Sequence, residues 1–379
     1  MSEIKVNSIK GVAASSAAIS INNTDGTCTA NITSLNGGQF SNRNKLINGE
    51  NLISQRGTSE TGVASTKYAK APDRWQFYAY PSSQSGTFTV SQDSTAPNGF
   101  QKSYKVDCTT ADTSLQADSG VILRQIIEEQ NLHDFRKGFS DAKQFTLSFY
   151  VKTTKTGTYV SELYDMRNTR HVSATYTVSD TNWNRYTITF PADTTGAFNK
   201  ASNSGGMIVH WWLVAGTNYT SGSLGTTWGN TAANRAVGQL NFADSTSNDF
   251  YLTGCQLEVG SVATDFEHRS FAQELALCQR YFCQDFAPNH GTIYESWSGP
   301  NGKHATFNFP VQMRAAPTVN TTNGVDGVVN SQFDNGQGSA VTVSKHSSVT
   351  SAYFYQVSTA FHLTGLTVGS PAASFSAEL

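Results

Sequence analysis

The chain has 379 residues, of which 14% are charged and 11% aromatic, and its net charge is −2. Soluble proteins average roughly 25% charged residues, and charge this sparse and this balanced excludes an electrostatic grip on nucleic acid or anionic lipid. Ser, Thr, Asn and 31 Gly stand in its place, a mix suited to short strands and tight turns, so the sequence predicts an all-β chain of two or three domains.

In chain order, residues 1–41 read as an arm. Ile4-Lys5-Val6 and Ile19-Ser20-Ile21 alternate as short strands, and Asn23-Thr24-Asp25-Gly26 is a turn. Few large apolar side chains lie between them, so the arm needs partners to build a core. Residues 42–268 form the expected body. Leu46 begins it, and Trp75, Phe77, Tyr78 and Tyr80 make an aromatic strand. Strands are then predicted at Gly86–Gln92, Gln101–Cys108, Val121–Ile127, Phe145–Lys152, Gly157–Tyr164, Ser173–Val178, Arg185–Phe190, Met207–Ala215 and Phe250–Val259. Regular short strands punctuated by Gly, Asn and Asp argue for a β-sandwich. One helical turn is expected within Glu128–Lys137, stopped by Gly138.

The period changes over residues 269–286. Ser270 and Gln273 have the form of a capping box, and behind them Phe271, Leu275, Cys278 and Phe282 recur at helical spacing. Such a narrow seam suits a helix packing on copies of itself along a trimer axis. The alternative, a single amphipathic helix lying on its own sheet, fits the same short pattern. Past Pro288, alternation resumes at Ala305–Phe309, Val325–Val329, Ala340–Val343, Ala352–Val357 and Ala360–Leu366, so residues 287–379 read as an antiparallel β tip.

Three segments carry a resemblance: NRNKLINGENLISQRGTS from Asn42, DRWQFY from Asp73, and QLEVGSVATDFEHRSFAQELALCQRYF from Gln256. In this order they resemble landmarks of bacteriophage tail fibre and receptor-binding proteins, and PVQMRAAP from Pro310 resembles a segment just past the helix in fibre tips. FTLSFYVKTTKTGTYVSELYD from Phe145 resembles carbohydrate-binding modules of jelly-roll type. The resemblance covers roughly Asn42 to Pro317. It implies a jelly-roll body, a homotrimer, attachment to a tail adaptor or nozzle protein through the arm, and adsorption to a host, the receptor itself not being part of what it implies. A virion protein made in the host cytoplasm agrees with a start, Met1-Ser2-Glu3-Ile4-Lys5, that lacks the form of a signal peptide. It also agrees with five cysteines in no metal-ligand spacing.

Catalytic motifs are missing. No phosphate loop, nucleophile elbow or zinc-protease pair occurs, and no cofactor is expected. A polysaccharide-cleaving alternative needs two carboxylates facing one sugar linkage. Glu128, Glu129, Asp134, Glu162 and Asp165 are the available acids, with nothing in the sequence to bring them together. A purely structural virion protein is the other alternative.

Sugar binding asks for aromatic rings to stack on a pyranose and for amides or charged groups to meet its hydroxyls. Two clusters supply both. In the body these are Tyr219 and Trp228 with Asn218, in the loop after Trp211-Trp212. In the tip they are Tyr294, Trp297 and His304, with Tyr353 and Tyr355 on one strand face. Trp228 is the expected exposed ring, and strand alternation puts one of Trp211 and Trp212 in the core and the other outside. For each residue taken alone, core packing is the competing explanation.

Overall fold

The structure is a computed structural model describing residues 8–9, 19–21, 24, 28–30, 42–80, 86–285, 294–297, 303–321, 330–334, 340–341, 344–356, 362–363 and 373–379. The protein is all-β, with a jelly-roll-like sandwich at its centre.

Three short strands, β1 (Ser8–Ile9), β2 (Ile19–Ile21) and β3 (Cys28–Ala30), pair antiparallel near the start. The sandwich uses β4 (Ser59–Val63), β5 (Gln76–Tyr80), β6 (Thr87–Asp93), β7 (Ser103–Thr110), β8 (Gly120–Glu128), β9 (Phe145–Thr153), β10 (Gly157–Asp165), β11 (Arg170–Val178), β12 (Asn184–Phe190), β13 (Gly205–Ala215) and β14 (Asp249–Val259). One sheet has five strands in the order β11-β10-β13-β8-β5, and the other six in the order β12-β9-β14-β7-β6-β4. Apart from β4, which is not among the expected strands, these fall within a few residues of the expected ones, because most are apolar or alternating runs cut by turn residues. On β9, for example, Phe145, Leu147, Phe149 and Val151 all enter the core between the sheets. The expected turn after β8 is two successive 3₁₀ turns, Glu129–Asn131 and His133–Phe135, and it ends on Arg136 and Gly138, both at positive φ.

Trp211 packs inside the sandwich against Trp75 and Phe149. Trp212 points to the opposite side, as alternation requires, yet it is equally buried. The loop after β13, with helix α1 (Thr217–Thr220), folds back so that Tyr219, Leu224 and Ala236 cover its ring. The expectation that one of the pair is exposed is therefore corrected.

Helix α2 (Phe271–Gln279) starts on the expected capping box, with Ser270 Oγ accepting from the Gln273 amide and the Gln273 side chain accepting from the Ser270 amide. After it come β15 (Phe282–Asp285), β16 (Tyr294–Trp297), β17 (Lys303–Asn308), β18 (Thr318–Thr321), β19 (Asn330–Asp334), β20 (Ala340–Val341), β21 (Ser344–Ser347), β22 (Ser351–Gln356), β23 (His362–Leu363) and β24 (Ala373–Ser376). They form three small antiparallel sheets, β15-β24-β18, β16-β17-β22-β21 and β20-β19-β23. β15, expected to belong with the helix, thus pairs with the last strand of the tip. The readings at Ile4–Val6, Pro288 and Val325–Val329 lie outside the described residues.

Candidate functional site

The segments that carried the resemblance meet in one polar joint beneath α2. Asn48 donates to the Ile53 and Asp73 carbonyls (2.8 and 2.9 Å), its own carbonyl accepts from Trp75 Nε1 (3.0 Å), and its amide donates to Glu274. Arg269 donates to the Leu46 and Asn44 carbonyls. Glu258, buried at the end of β14, accepts from Gln256 Nε2 and from the amide and hydroxyl of Thr264. At the other end of the helix Glu128 accepts from Arg280 (2.9 and 2.8 Å) and from the Tyr281 hydroxyl. Arg74 is buried, lies 3.5 Å over the Tyr281 ring and pairs with Glu378. Arg314, from the PVQMRAAP segment, donates to the Ala377 and Glu378 carbonyls. Buried polar groups cost little only when every partner is present, and here the partners come from both ends of the chain.

Around this joint the four residues of the expected trimer seam separate. Cys278 is fully buried against Ile47 and Ile53, and Leu275 is half-buried on the same cluster. The helix ends at Gln279, so Phe282 lies on β15, under the Arg56 guanidinium at 3.7 Å. Phe271 alone is outward, 60% exposed. The seam is corrected to an intrachain packing face plus one exposed ring, because the helix is short and uses its buried side on its own body. Beside the helix, Arg269, Ala276, Leu277, Arg280 and Val311 line part of a cleft of about 540 Å³.

The expected body site is also rearranged. Trp228 is half-buried at the end of the sandwich, packed near Phe145, with its Nε1 donating to the Pro191 carbonyl (2.8 Å). Tyr219 lies between Tyr80 and Trp212 as part of the cover over the sheet, while Asn218 is exposed. In the tip, the backbone register aligns Tyr294 with Thr306 and Tyr353, and His304 with Tyr355. Strand alternation therefore puts Tyr294, His304, Tyr353 and Tyr355 on one face of the sheet and Trp297 on the other. The side chains of these five lie outside the described residues.

What sequence reasoning missed is a polar row crossing the whole five-stranded sheet on its outer face. Cross-strand register aligns Gln76, Arg124, His210, Glu162 and Ser173, one from each strand. Glu162 is fully buried and held on both oxygens, by Arg235 (2.7 and 3.0 Å), His210 Nδ1 (2.7 Å) and Trp212 Nε1 (3.0 Å). Burial alone would push its carboxyl up, but Arg235 and His210 outweigh that and hold it at about 2. Burial lowers the His210 ring to about 4, so the ring is neutral, with its Nδ1 proton on Glu162. His210 Nε2 is then a buried acceptor, and it has no partner among the described residues. Arg124 donates to Gln76 Oε1 (2.6 Å) and stacks on Tyr78 at 3.4 Å. Tyr78, Tyr80, Arg124 and Tyr164 are all half-buried, and together they rim the row with ring faces and donors.

The candidate carboxylates do not converge. Glu128 pairs with Arg280, Glu129 with Arg167, Asp134 with Lys45, Glu162 with Arg235 and Asp165 with Lys137. Among the described residues no group of three or more His, Cys, Asp or Glu side chains is placed to hold a metal ion, and no helix is long and apolar enough to cross a membrane.

No family model matches the sequence, and no curated protein matches it. Several solved structures are similar. A putative sugar binding protein from Bacteroides thetaiotaomicron is 12% identical with a TM-score of 0.31, the match covering 57% of this chain and 100% of that one. The enzymatically active domain of tailspike protein 4 from bacteriophage CBA120 is 11% identical with a TM-score of 0.30, covering 57% of this chain but only 21% of the tailspike chain. A family 11 carbohydrate-binding module from Clostridium thermocellum, solved with a mixed-linked tetrasaccharide, is 10% identical with a TM-score of 0.26, covering 56% and 99%.

Proposed function

We propose that this chain is a trimeric bacteriophage tail fibre protein, attached to the tail through residues 1–41, which adsorbs to a host surface glycan without cleaving it. The observation that carries the glycan reading is the rimmed polar row. Half-exposed tyrosine faces flank fixed hydrogen-bonding groups on a rigid sheet, the combination of stacking surface and directed polar atoms that a pyranose needs. The fibre reading is supported by the resemblance of the motifs that build the joint, which links the sandwich to a further β unit. Binding without cleavage is supported by the pairing of each candidate acid with a cation, which leaves none poised to protonate a leaving oxygen. Three copies would add weak sugar contacts through effective concentration.

The test is binding of the full chain to an array of bacterial surface glycans, with Tyr78→Ala and Tyr164→Ala alongside and reducing ends assayed in solution. Retained glycan that is lost in both variants, with no reducing ends released, supports the reading. Steady release of reducing ends replaces it with a depolymerase, and an absence of any retained glycan replaces it with a structural virion protein. Light scattering checks the assembly, where a mass near three times the 40.9 kDa chain is expected and the mass of a single chain overturns the trimer.

A further inference from the structure

The charges on the outer face of the five-stranded sheet do not cancel. Glu162 is matched by Arg235, Glu128 by Arg280, and Arg74 by Glu378. Among the described residues Arg124 has no carboxylate partner; its guanidinium donates to the Gln76 side-chain oxygen and lies over the Tyr78 ring. It sits second in the row, directly across from His210. Both histidines near Glu162 are lowered by burial, so neither adds a compensating or a competing charge at neutral pH.

The second observation is the imidazole itself. With Nδ1 fixed on Glu162, ring geometry turns Nε2 to the far side of the ring from the sheet backbone. His210 is only 2% exposed, and among the described residues Nε2 has no hydrogen-bond partner. A buried neutral acceptor left without a donor carries a desolvation cost that a ligand hydroxyl would remove. Tyr164, its ring centroid 6.2 Å from that of His210 and tilted by 30°, and Tyr78, beneath Arg124, flank the imidazole and the guanidinium.

Resting on the glycan reading above, we infer that the sugar bound on this face is acidic, its carboxylate, sulfate or phosphate pairing with Arg124 while one of its hydroxyls donates to His210 Nε2. A half-buried guanidinium with no carboxylate partner among the described residues suits a planar or tetrahedral oxyanion better than a neutral hydroxyl. A charge-assisted pair of this kind gives roughly tenfold to hundredfold preference over the same sugar without its charge.

The experiment uses the full chain and matched probes: oligogalacturonate against its carboxyl-reduced form, heparin oligosaccharides against desulfated ones, and a phosphodiester-linked glycan against its dephosphorylated repeat. The expected result is that one acidic probe binds at least about tenfold more tightly than its neutral parent, and the arm that does so names the anion. Arg124→Gln should abolish the preference and Arg124→Lys should keep part of it, with unchanged melting temperatures showing that both remain folded. If Arg124→Gln does not fold, the Lys variant and the loss of preference in high salt carry the test. His210→Asn keeps the donor to Glu162 and removes the distal acceptor, so it should weaken acidic and neutral probes alike. Equal binding of acidic and neutral partners overturns this inference and leaves the glycan reading standing. Binding of no probe and no glycan on the array overturns both.

Discussion

Replacing Glu378 by Ala tests whether the C-terminal segment is structural to the body or merely lies against it. Arg74 is buried, and its guanidinium donates to the Ile126 carbonyl (2.7 Å), stacks on the Tyr281 ring and pairs with the Glu378 carboxylate. The same carboxylate also accepts from Arg56 at 3.0 Å. Removing it leaves a fully buried guanidinium without its counter-ion, a change that costs about 3–5 kcal/mol. The Ile126 bond and the Tyr281 ring keep part of the solvation, so the lower end, about 3 kcal/mol, is expected. Urea unfolding followed by tryptophan fluorescence reads this directly through Trp75, whose Nε1 bonds Asn48 in the same joint. Arg74→Met combined with Glu378→Leu should recover most of the loss, since an apolar pair needs no counter-ion. A Glu378→Ala loss below about 1 kcal/mol would refute the reasoning.

Three further outcomes follow from the same geometry. His210 and His171 are both lowered by burial, so the unfolded chain takes up more protons than the folded one once pH falls below 6.5. Stability present at neutral pH is therefore lost on acidification, by about 2 kcal/mol at pH 5 for His210 alone; a urea midpoint unchanged between pH 7.5 and 5 contradicts this. Gly254 has φ +58°, and a Cβ there would lie 2.8–2.9 Å from ring carbons of Phe100 and Tyr150. Gly254→Ala should cost about 2–3 kcal/mol in thermal unfolding. Lys137→Met removes the ammonium that binds Asp165, Asp193 (3.1 Å) and the Thr195 and Gly196 carbonyls (3.0 and 2.8 Å). A loss of about 3 kcal/mol is expected, eased by a second change, Asp165→Asn.

The strands were legible because their side chains alternate or run apolar between turns, and the capping box could be read from local letters. The Lys45 amide also donates to the Leu257 carbonyl at 2.9 Å, joining the two ends of the body. The joint was not legible. Asn48, Arg74, Glu128 and Glu378 look like surface residues, and their burial depends on partners as far as 322 positions away. The polar row failed for a related reason. Alternation shows that Gln76 shares a side with Tyr78, and Arg124 with Ile122, but only the pairing register brings Arg124 beside His210 and His210 beside Glu162. Trp228 was read as a free loop ring because no local pattern reveals that Pro191 offers it an acceptor. Glycine and polar letters mark a loop, not what the loop folds back upon.

The pairing of β24 with β15, and of Arg74 with Glu378, also sets an order of events during synthesis. While a ribosome is still extending the chain, the sandwich strands emerge early, yet the cation at position 74 has no counter-ion until position 378 has cleared the exit tunnel. The nascent sandwich must therefore wait in a looser state with that pocket open to water. Final closure becomes a post-translational step whose speed is limited by the search of a distant segment for its slot, and a chaperone that shields the open pocket would raise the yield of native chains.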